Sequence, residues 1–286
     1  MVISNVKSWV HWKKRMKIVS KKVNSLKIKE AGISKNNIPY IKLRDGPIFF
    51  GPTSSISQIK IYDTLSRETR EHLPKECFGI AMDIVLRYYE GGLRSGGPKK
   101  EKYYSVRSSD TVAEMGAYMG YYCIYLSEKV GTKGRVIAIE PIKENIKYLS
   151  KNIQENKLKN VTIIPKGVWK EHGKMTFHKK DQDKQSGSIS IQYKNEKEAE
   201  IEVDSLDNIL GENGIEKVDF MIIQLNGAEY EAMQGLTKVK PENLAIAARY
   251  KKDGKRLAPL IAEKLKSRGY NIKIEEDAFV YGSINR

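Results

Sequence analysis

Two acids and two glycines near the middle of the chain have the types and spacing to bind a small polar ligand. Glu114 precedes Gly116 and Gly120 in the run "EMGAYMG", and Glu140 stands 20 residues after Gly120 at the end of an apolar run. Glycine has no Cβ atom, so Gly116 permits a tight turn and both positions let a ligand lie against the backbone. An acid placed like Glu140 can accept hydrogen bonds from both hydroxyls of a ribose.

The acid at the start of this run distinguishes between two kinds of nucleotide ligand. A dinucleotide-binding loop has three glycines and places a pyrophosphate at a helix N-terminus. This loop has two of the three glycines, with Ala117 between them, and Glu114 would repel a pyrophosphate while attracting an ammonium group. Glu114 and Glu140 together predict a ligand with an amine at one end and a ribose at the other. S-adenosylmethionine fits that description.

A second set of polar residues follows the apolar part of "DFMIIQLNGAE" (219–229). The positions where a charged group is expected are the amides Gln224 and Asn226, which can orient a substrate but cannot take up its proton. A later apolar run ends at Arg249, and a basic cluster follows it, which favours an anionic substrate. Tyr118 projects from the glycine loop and is a further candidate for contact with the methionine part of the ligand or with the substrate.

The elements that must position these residues alternate between strands and helices from residue 110 onward. Buried apolar strands in such an alternation predict an α/β fold with a mostly parallel sheet, helices on both faces and a terminal antiparallel hairpin. Ligands then bind beyond the carboxyl ends of the strands. Strands are predicted at 110–116, 134–141, 160–165, 218–225 and 243–250, helices at 121–131, 143–158, 203–210, 227–236 and 254–270, and a β-rich excursion at about 174–204.

Five segments of the chain, in order, resemble the FkbM-type family of S-adenosylmethionine-dependent methyltransferases. The resemblance covers about residues 105–275 and implies a Rossmann-like class I methyltransferase fold. It also implies O-methylation of hydroxyls on sugars, glycans or other small acceptors. The segments are "VAEMGAYMGYY" (112–122), "GRVIAIEP" (134–141), "NVTIIPKGVWKEHGKMTF" (160–177), "VDSLDNIL" (203–210) and "DFMIIQLNGAEYEAMQGL" (219–236).

The resemblance also implies which residues hold the cofactor. Glu114, Gly116, Gly120 and Glu140 would bind it, and the turn "KGVW" (166–169) would lie near the adenine. The predicted cofactor site is completed by Ala117, Tyr118, Pro141, Gly167, Val168 and Gln224.

The chain departs from the family pattern on the substrate side. Members commonly read K-I-D-V-E-G-A-E where this chain has Ile222, Gln224 and Asn226 in place of the lysine and two acids. A carboxylate is the usual acceptor of a hydroxyl proton in methyl transfer. We therefore expect in-line transfer driven mainly by positioning, with Gln224, Asn226, Arg249 and Tyr118 as candidate catalytic residues. The alternative is a membrane- or RNA-associated module that binds the cofactor but is catalytically altered.

The net charge of +16 is concentrated at the front of the chain. Residues 1–60 hold 13 Lys/Arg against 2 Asp/Glu, and apolar residues recur at helical spacing over residues 6–26. This predicts a basic amphipathic helix, with three alternatives: packing on the body, peripheral membrane association, or, least favoured, a nucleic-acid arm. We expect three segments, namely residues 1–60 with this helix and a short β segment, a helical region with a Gly-rich linker at 61–100, and the methyltransferase domain at 101–286.

Composition excludes several classes of protein. The apolar runs are shorter than the roughly 20 residues that cross a bilayer, and no signal-peptide pattern is visible. Two cysteines cannot form a disulfide framework, and no paired Cys/His spacing predicts a metal site. We therefore predict a cytoplasmic protein, with the inner membrane face as an alternative location, and no bound metal.

Overall fold

The computed structural model describes residues 18–89, 97–180, 183–188 and 197–284. The chain forms two compact units, Met1–Gly91 and Gly92–Arg286. The first unit contains the basic N-terminal region together with the helical residues 61–89, and the second contains the alternating strands and helices.

The first unit is built from one small antiparallel sheet and several short helices. The sheet has the order β1-β2-β3, and the short β segment predicted within residues 1–60 lies in it. The elements are helix α1 (described over 18–23), β1 (Ile28–Ile33), β2 (Pro39–Leu43), β3 (Ile48–Phe50), α2 (Ile56–Tyr62), α3 (Arg67–His72), a 3₁₀ turn at Lys75–Cys77, α4 (Phe78–Asp83) and a π-helical turn at Ile84–Tyr89.

The predicted amphipathic helix over residues 6–26 lies partly outside the described residues, since residues 1–17 are not among them. In its described part, Val19 and Val23 are buried and the Ser20 hydroxyl lies 3.0 Å from that of Thr64. This last turn therefore packs within the first unit. Within the described ranges, no helix combines the length and apolar character needed to cross a membrane.

The second unit is built around a seven-stranded sheet with the order β15-β16-β12-β11-β4-β5-β6. It also has a four-stranded sheet with the order β7-β10-β8-β9, in which β8, β9 and β10 match the predicted β-rich excursion and β7 precedes it. The strands of the second unit are β4 (Thr111–Met115), β5 (Arg135–Ile139), β6 (Val161–Ile164), β7 (Gly167–Trp169), β8 (Gly173–Lys180), β9 (Asp183–Ser188), β10 (Lys197–Ser205), β11 (Phe220–Ile223), β12 (Asn243–Ile246), β13 (Lys251–Lys252), β14 (Lys255–Arg256), β15 (Asn271–Glu275) and β16 (Phe279–Ser283).

Strands β4, β5, β6, β11 and β12 run parallel, and β15 and β16 form the terminal antiparallel hairpin, which confirms the predicted arrangement. All four residues of β11 are buried, as in strands that are covered on both faces. The helices are a 3₁₀ turn at Pro98–Glu101, α5 (Tyr121–Val130), α6 (Lys143–Glu155), α7 (Leu206–Glu212), α8 (Glu229–Gln234) and α9 (Leu257–Ser267).

Alternate residues of the central strands face two separate apolar cores. Val112 of β4 packs in one core with residues of α5 and α6, whereas its neighbour Ala113 packs in the other with residues of α7, α8 and α9. Successive side chains of a strand point to opposite faces of its sheet. The helices therefore cover both faces, and the fold is α/β as the sequence predicts.

Candidate active site

The glycine loop and Gln224 follow two strands that meet where the strand order of the central sheet reverses. From β4 the chain proceeds outward to β5 and β6, then returns to place β11 on the opposite side of β4. In open α/β sheets the ligand crevice lies beyond the carboxyl ends of the strands at such a switch point. The glycine loop follows β4 and Gln224 follows β11, so both lie at this position.

The loop after β4 has left-handed backbone at every second residue. Gly116, Tyr118 and Gly120 have φ values of +84°, +57° and +79°. The N–H groups of Gly116 and Ala117 both donate to the carbonyl of Ile139, at 3.0 and 3.1 Å. The loop is therefore folded back onto the carboxyl end of β5.

The two glycines are required by the packing of the protein itself. A Cβ atom on Gly116 would lie 2.3 Å from the carbonyl oxygen of Gln224, and one on Gly120 would lie 2.4 Å from Cδ1 of Leu149. The sequence predicted that a ligand uses this space. The loop approaches the end of β11 and helix α6 on the sides where the Cβ atoms are missing, and the contact between a ligand and this backbone stays a prediction.

Glu140 holds the glycine loop through its carboxylate. Its Oε2 accepts the N–H of Tyr118 at 2.9 Å, and its Oε1 accepts the N–H of Ile142 at 3.1 Å and Nδ2 of Asn145 at 3.0 Å. The side chain is buried, being 4% exposed. The carboxylate thus joins the glycine loop to the residues at the start of α6.

Glu114 is buried within β4 on the face that carries α5. The thiol of Cys123 donates to its Oε2 at 3.0 Å. Burial and the negative charge of Glu114 hold the pKa of Cys123 well above its usual range, so the thiol keeps its proton at neutral pH. The acid of β4 is therefore buried beside α5, where the thiol of Cys123 donates to it.

Gln224 and Asn226 lie in the turn that leaves β11. The N–H of Gln224 donates to the carbonyl of Met115 at 3.1 Å, which extends the β4–β11 ladder by one hydrogen bond. Asn226 has a φ of +53°, a conformation that asparagine tolerates better than most residues. The hydroxyl of Tyr250 donates to Oδ1 of Asn226 at 3.4 Å.

Glu229 fixes the same turn from the start of α8. Its carboxylate accepts the N–H of Leu225 at 2.9 Å and that of Gly227 at 2.8 Å, and the side chain is fully buried. Burial raises the pKa of Glu229, while these N–H groups and the nearby Arg249 act in the opposite direction. The sequence indicates an acid at a helix N-terminus, but only the structure shows that it organises the turn.

Arg249 follows β12 at the same edge of the sheet. Its guanidinium carbon lies 5.8 Å from the ring centroid of Tyr250. Its Nε is buried, and no hydrogen-bond acceptor among the described residues lies within reach of it. A buried donor without an acceptor is costly. Arg249 therefore presents an unused hydrogen-bond donor beyond the carboxyl end of β12.

Lys100 is the functional candidate that the sequence did not predict. It stands in the 3₁₀ turn Pro98–Glu101, is 1% exposed, and places its Nζ 5.2 Å from the ring centroid of Phe279. Burial and the positive charge of Arg249 lower the pKa of Lys100 to about 7, while Glu229 and Glu114 oppose this shift. Its surroundings in sequence, "GGPKK", predict a flexible linker and give no sign of a buried lysine.

The remaining predicted cofactor residues lie along neighbouring strand ends. Pro141 directly follows Glu140 and is partly buried. Gly167 and Val168 are buried in β7, which pairs in parallel with β10. The predicted turn at 166–169 is therefore a strand from residue 167 onward, because the missing Cβ of Gly167 permits close packing against Val203.

Comparison with known proteins identifies the family of the chain. The model of the Methyltransferase FkbM domain matches residues 114–272, which is more than half of the sequence. The chain belongs to the FkbM methyltransferase family. As a member of this family it is an S-adenosylmethionine-dependent methyltransferase, and its central sheet is that of the Rossmann-like class I methyltransferases.

Solved structures similar to this FkbM methyltransferase chain include three methyltransferase-fold proteins. An FkbM methyltransferase from Methylobacillus flagellatus shares 18% identity over 65% of this chain and 48% of its own, with a TM-score of 0.43. A SAM-dependent methyltransferase from Aquifex aeolicus shares 18% identity over 64% and 86%, with a TM-score of 0.37. Fibrillarin from Aeropyrum pernix, crystallised with S-adenosyl-L-methionine, shares 10% identity over 90% and 99%, with a TM-score of 0.39.

A search of curated proteins gave no match to this chain. Among the described residues, no group of three or more His, Cys, Asp or Glu side chains is placed to hold a metal ion.

Proposed function

We propose that this FkbM methyltransferase transfers a methyl group to a hydroxyl of a sugar, glycan or other small acceptor that carries a negative charge. The observation that carries the proposal is Arg249, whose buried Nε–H has no acceptor among the described residues. A carboxylate or phosphate of the acceptor would supply the missing partner, and guanidinium groups bind such anions in a directed way.

The other residues on the substrate side agree with an anionic acceptor. Gln224 and Asn226 occupy positions where the family pattern has acids, so two negative charges that would repel an anion are missing. Directly after Arg249, the hairpin β13–β14 exposes Lys251, Lys255 and Arg256. This hairpin adds positive charge at the entrance to the site and would increase the local concentration of an anionic substrate.

We further propose that the acid in β4 and the acid that follows β5 hold the cofactor. Glu114 would attract the ammonium group of S-adenosylmethionine, and Glu140 would accept its ribose hydroxyls. These residues fit this cofactor, because both acids are buried at the paired strands β4 and β5, and the glycine loop lies between the two acids in the chain. Bound S-adenosylmethionine supplies an activated methyl group. The chain contributes binding, orientation and exclusion of water.

The preference for charged acceptors can be tested without knowing the acceptor in advance. A heat-treated extract of the source organism is separated by anion exchange into charged and neutral fractions, and each is incubated with methyl-labelled cofactor and the protein. We expect label in the charged fraction, in a product that survives mild alkali as a methyl ether does. Label confined to the neutral fraction would contradict the anionic part of the proposal.

Arg249→Gln tests the residue that carries the proposal. Because it removes a charge-assisted hydrogen bond worth roughly 1.5–3 kcal/mol, kcat/KM for the charged acceptor should fall by at least about tenfold. Cofactor affinity, measured by calorimetry, should stay within a few-fold of the native value. Lys238→Gln removes one exposed positive charge elsewhere in the second unit and serves as the matched control. Equal activity of R249Q and K238Q would remove Arg249 from the site.

A further inference from the structure

A cavity of about 180 Å³ lies at the amino-terminal ends of two parallel strands of the central sheet. Phe220 and Asn243, the first residues of β11 and β12, line it. Asn271 and Ser283 line it as well, from the ends of β15 and β16 that pair with each other and with Asn243. The crevice described above lies beyond the carboxyl ends of the parallel strands, so this cavity is at the opposite end of the sheet.

Aromatic side chains form much of the cavity wall. Tyr281 and Phe220 are 4% and 1% exposed, whereas Tyr103 is 42% exposed, so the cavity has a buried floor and an open side. The rings of Tyr103 and Tyr281 meet edge to face, with centroids 4.9 Å apart, and Tyr104 lies 5.3 Å from Phe220. A protein cavity of roughly 150 Å³ can hold benzene. The volume here therefore admits one six-membered ring.

Tyr281 carries a buried hydroxyl that has no hydrogen-bond partner among the described residues. Burial raises the pKa of Tyr281 above its usual range, so the hydroxyl keeps its proton at neutral pH and can donate it. Leaving such a donor unpaired is unfavourable. The equally buried Tyr270 shows the usual solution, because its hydroxyl donates to the carbonyl of Pro241 at 2.7 Å. A ligand with an acceptor atom would complete Tyr281 in the same way.

The charged residues that line the cavity are both positive. They are Lys100 and Lys273, and none of the described lining residues is an Asp or Glu. Lys273 is exposed and places its Nζ 4.3 Å from the ring centroid of Tyr103, at the open side. Glu275, on the same strand, accepts the hydroxyl of Tyr103 and the ammonium of Lys102. The lining therefore favours a ligand that carries a negative charge and accepts hydrogen bonds.

We propose that this cavity is a second ligand site, which binds a single aromatic ring bearing a carboxylate. The ring packs against Tyr103 and Tyr281, in the offset or edge-to-face contacts that aromatic rings prefer. A carboxylate oxygen accepts the hydroxyl of Tyr281, and Lys273 contributes positive charge at the open side. The inference does not depend on the proposed function, since neither the methyl acceptor nor Arg249 enters it.

The first test uses benzoate and two related compounds. Benzamide keeps the ring and removes the charge, whereas acetate keeps the carboxylate and removes the ring. The ¹⁵N-labelled full chain is titrated by NMR with S-adenosylhomocysteine present, so that the cofactor site is occupied. Benzoate should shift the amide signals of Lys273, Gly282 and Ser283 but not those of Gly116 and Gly120. We expect a dissociation constant of roughly 1 mM or below, with both other compounds at least about fivefold weaker.

The second test changes the cavity wall. Tyr281→Phe keeps the ring and removes the unpaired hydroxyl, and should weaken benzoate binding by at least about tenfold. Tyr270→Phe is the matched control and should stay within about twofold of the native affinity. Asn271→Trp fills the cavity from an exposed position and should abolish binding. Without ligand, Y270F should lower the urea unfolding midpoint because a made hydrogen bond is lost, whereas Y281F should leave it unchanged or raise it.

Several results would overturn the proposal. One is that benzoate at about 20 mM, well above the expected dissociation constant, shifts none of the three cavity amides. Another is equal binding of acetate or benzamide, since the site then selects no ring or no charge. Native affinity in Y281F, or an equal loss in Y270F, would show that the hydroxyl of Tyr281 is not the contact. None of these results bears on the anionic acceptor, which is tested separately through Arg249.

Discussion

At the scale of single residues, backbone N–H groups set the orientation of the acids in the candidate active site. Glu140 accepts the N–H groups of Tyr118 and Ile142, and Glu229 accepts those of Leu225 and Gly227. Hydrogen bonds to an ionised acceptor are among the stronger ones in proteins. The loops after β4 and β11 are thus fixed by carboxylates before any ligand arrives, which is the preorganisation that positioning catalysis requires.

The glycine loop gives a prediction at this scale. Gly116→Ala should lower the free energy of unfolding by about 2–4 kcal/mol, because the new Cβ meets the Gln224 carbonyl and the φ of +84° is unfavourable for alanine. Gly173→Ala is the matched control, since a Cβ there has no heavy atom within 4 Å and no positive φ is involved. Urea unfolding midpoints measure both. Equal midpoints for G116A and G173A would contradict the packing role of Gly116.

The residue types at the strand ends were predictable, whereas their partners were not. Glu114, Gly116 and Glu140 follow from spacing, because a strand end and a glycine turn have local signatures in the sequence. The buried amine of Lys100 lies over the ring of Phe279, which is distant in sequence. The contact of Gly120 with Leu149 is likewise a tertiary contact, so the sequence suggests a missing Cβ but not what fills its place.

At the scale of elements, Asp207 connects helix α7 to the segment that follows α8. Its carboxylate accepts the N–H groups of Thr237, Lys238 and Val239 at 2.6, 2.8 and 2.9 Å, and the Thr237 hydroxyl as well. Burial alone would raise the pKa of Asp207, but these hydrogen bonds outweigh it and lower the pKa. The ionised form is thus preferred in the folded state.

Asp207→Asn should therefore destabilise the protein at neutral pH by about 1–3 kcal/mol. Because the folded pKa lies below the unfolded one, the contribution of Asp207 is complete above the unfolded value of about 3.9 and is lost as pH falls through the folded value. Urea unfolding at pH 7 and at pH 3 measures the difference. It should shrink at the lower pH, and the exposed control Glu216→Gln should change neither value by more than about 0.5 kcal/mol.

Elements with strong periodicity matched their predictions, and those shaped by distant partners did not. Strand β11 is apolar throughout because both of its faces are covered, so its sequence alone identifies it. The segment 166–169 has a glycine and suggests a turn, yet Gly167 joins a strand because β10 lies beside it. The 3₁₀ turn Pro98–Glu101 follows a run of Gly and Pro, which gives no information about where its lysine lies.

At the scale of the whole molecule, charge is distributed unequally along the chain. Residues 1–60 account for 13 of the 51 Lys/Arg and only 2 of the 35 Asp/Glu. Each Lys or Arg near an anionic bilayer contributes about 1 kcal/mol of attraction, and salt screens that attraction. The predicted membrane association would therefore depend on the front of the chain and on ionic strength.

We expect the full chain to float with phosphatidylserine-containing vesicles at low salt and to dissociate at about 0.3 M salt, where screening is strong. The triple change Lys13→Glu, Lys14→Glu and Arg15→Glu should abolish flotation by reversing three charges of the basic region. The same number of reversals at Lys251, Lys255 and Arg256 is the control for net charge. Equal loss in both variants would mean that overall charge, and not the N-terminal region, drives association.

The strand order described above also has a consequence for how the second unit acquires its structure during synthesis. Strands β4, β5 and β6 emerge first and can pair with one another, but β11, which pairs with the other edge of β4, begins only at residue 220. Until then one edge of the apolar strand β4 has no partner strand for its backbone N–H and C=O groups. Such edges promote association between incomplete chains. The rate-limiting step of folding is thus expected to be the late insertion of β11, and truncations that end before residue 220 should aggregate.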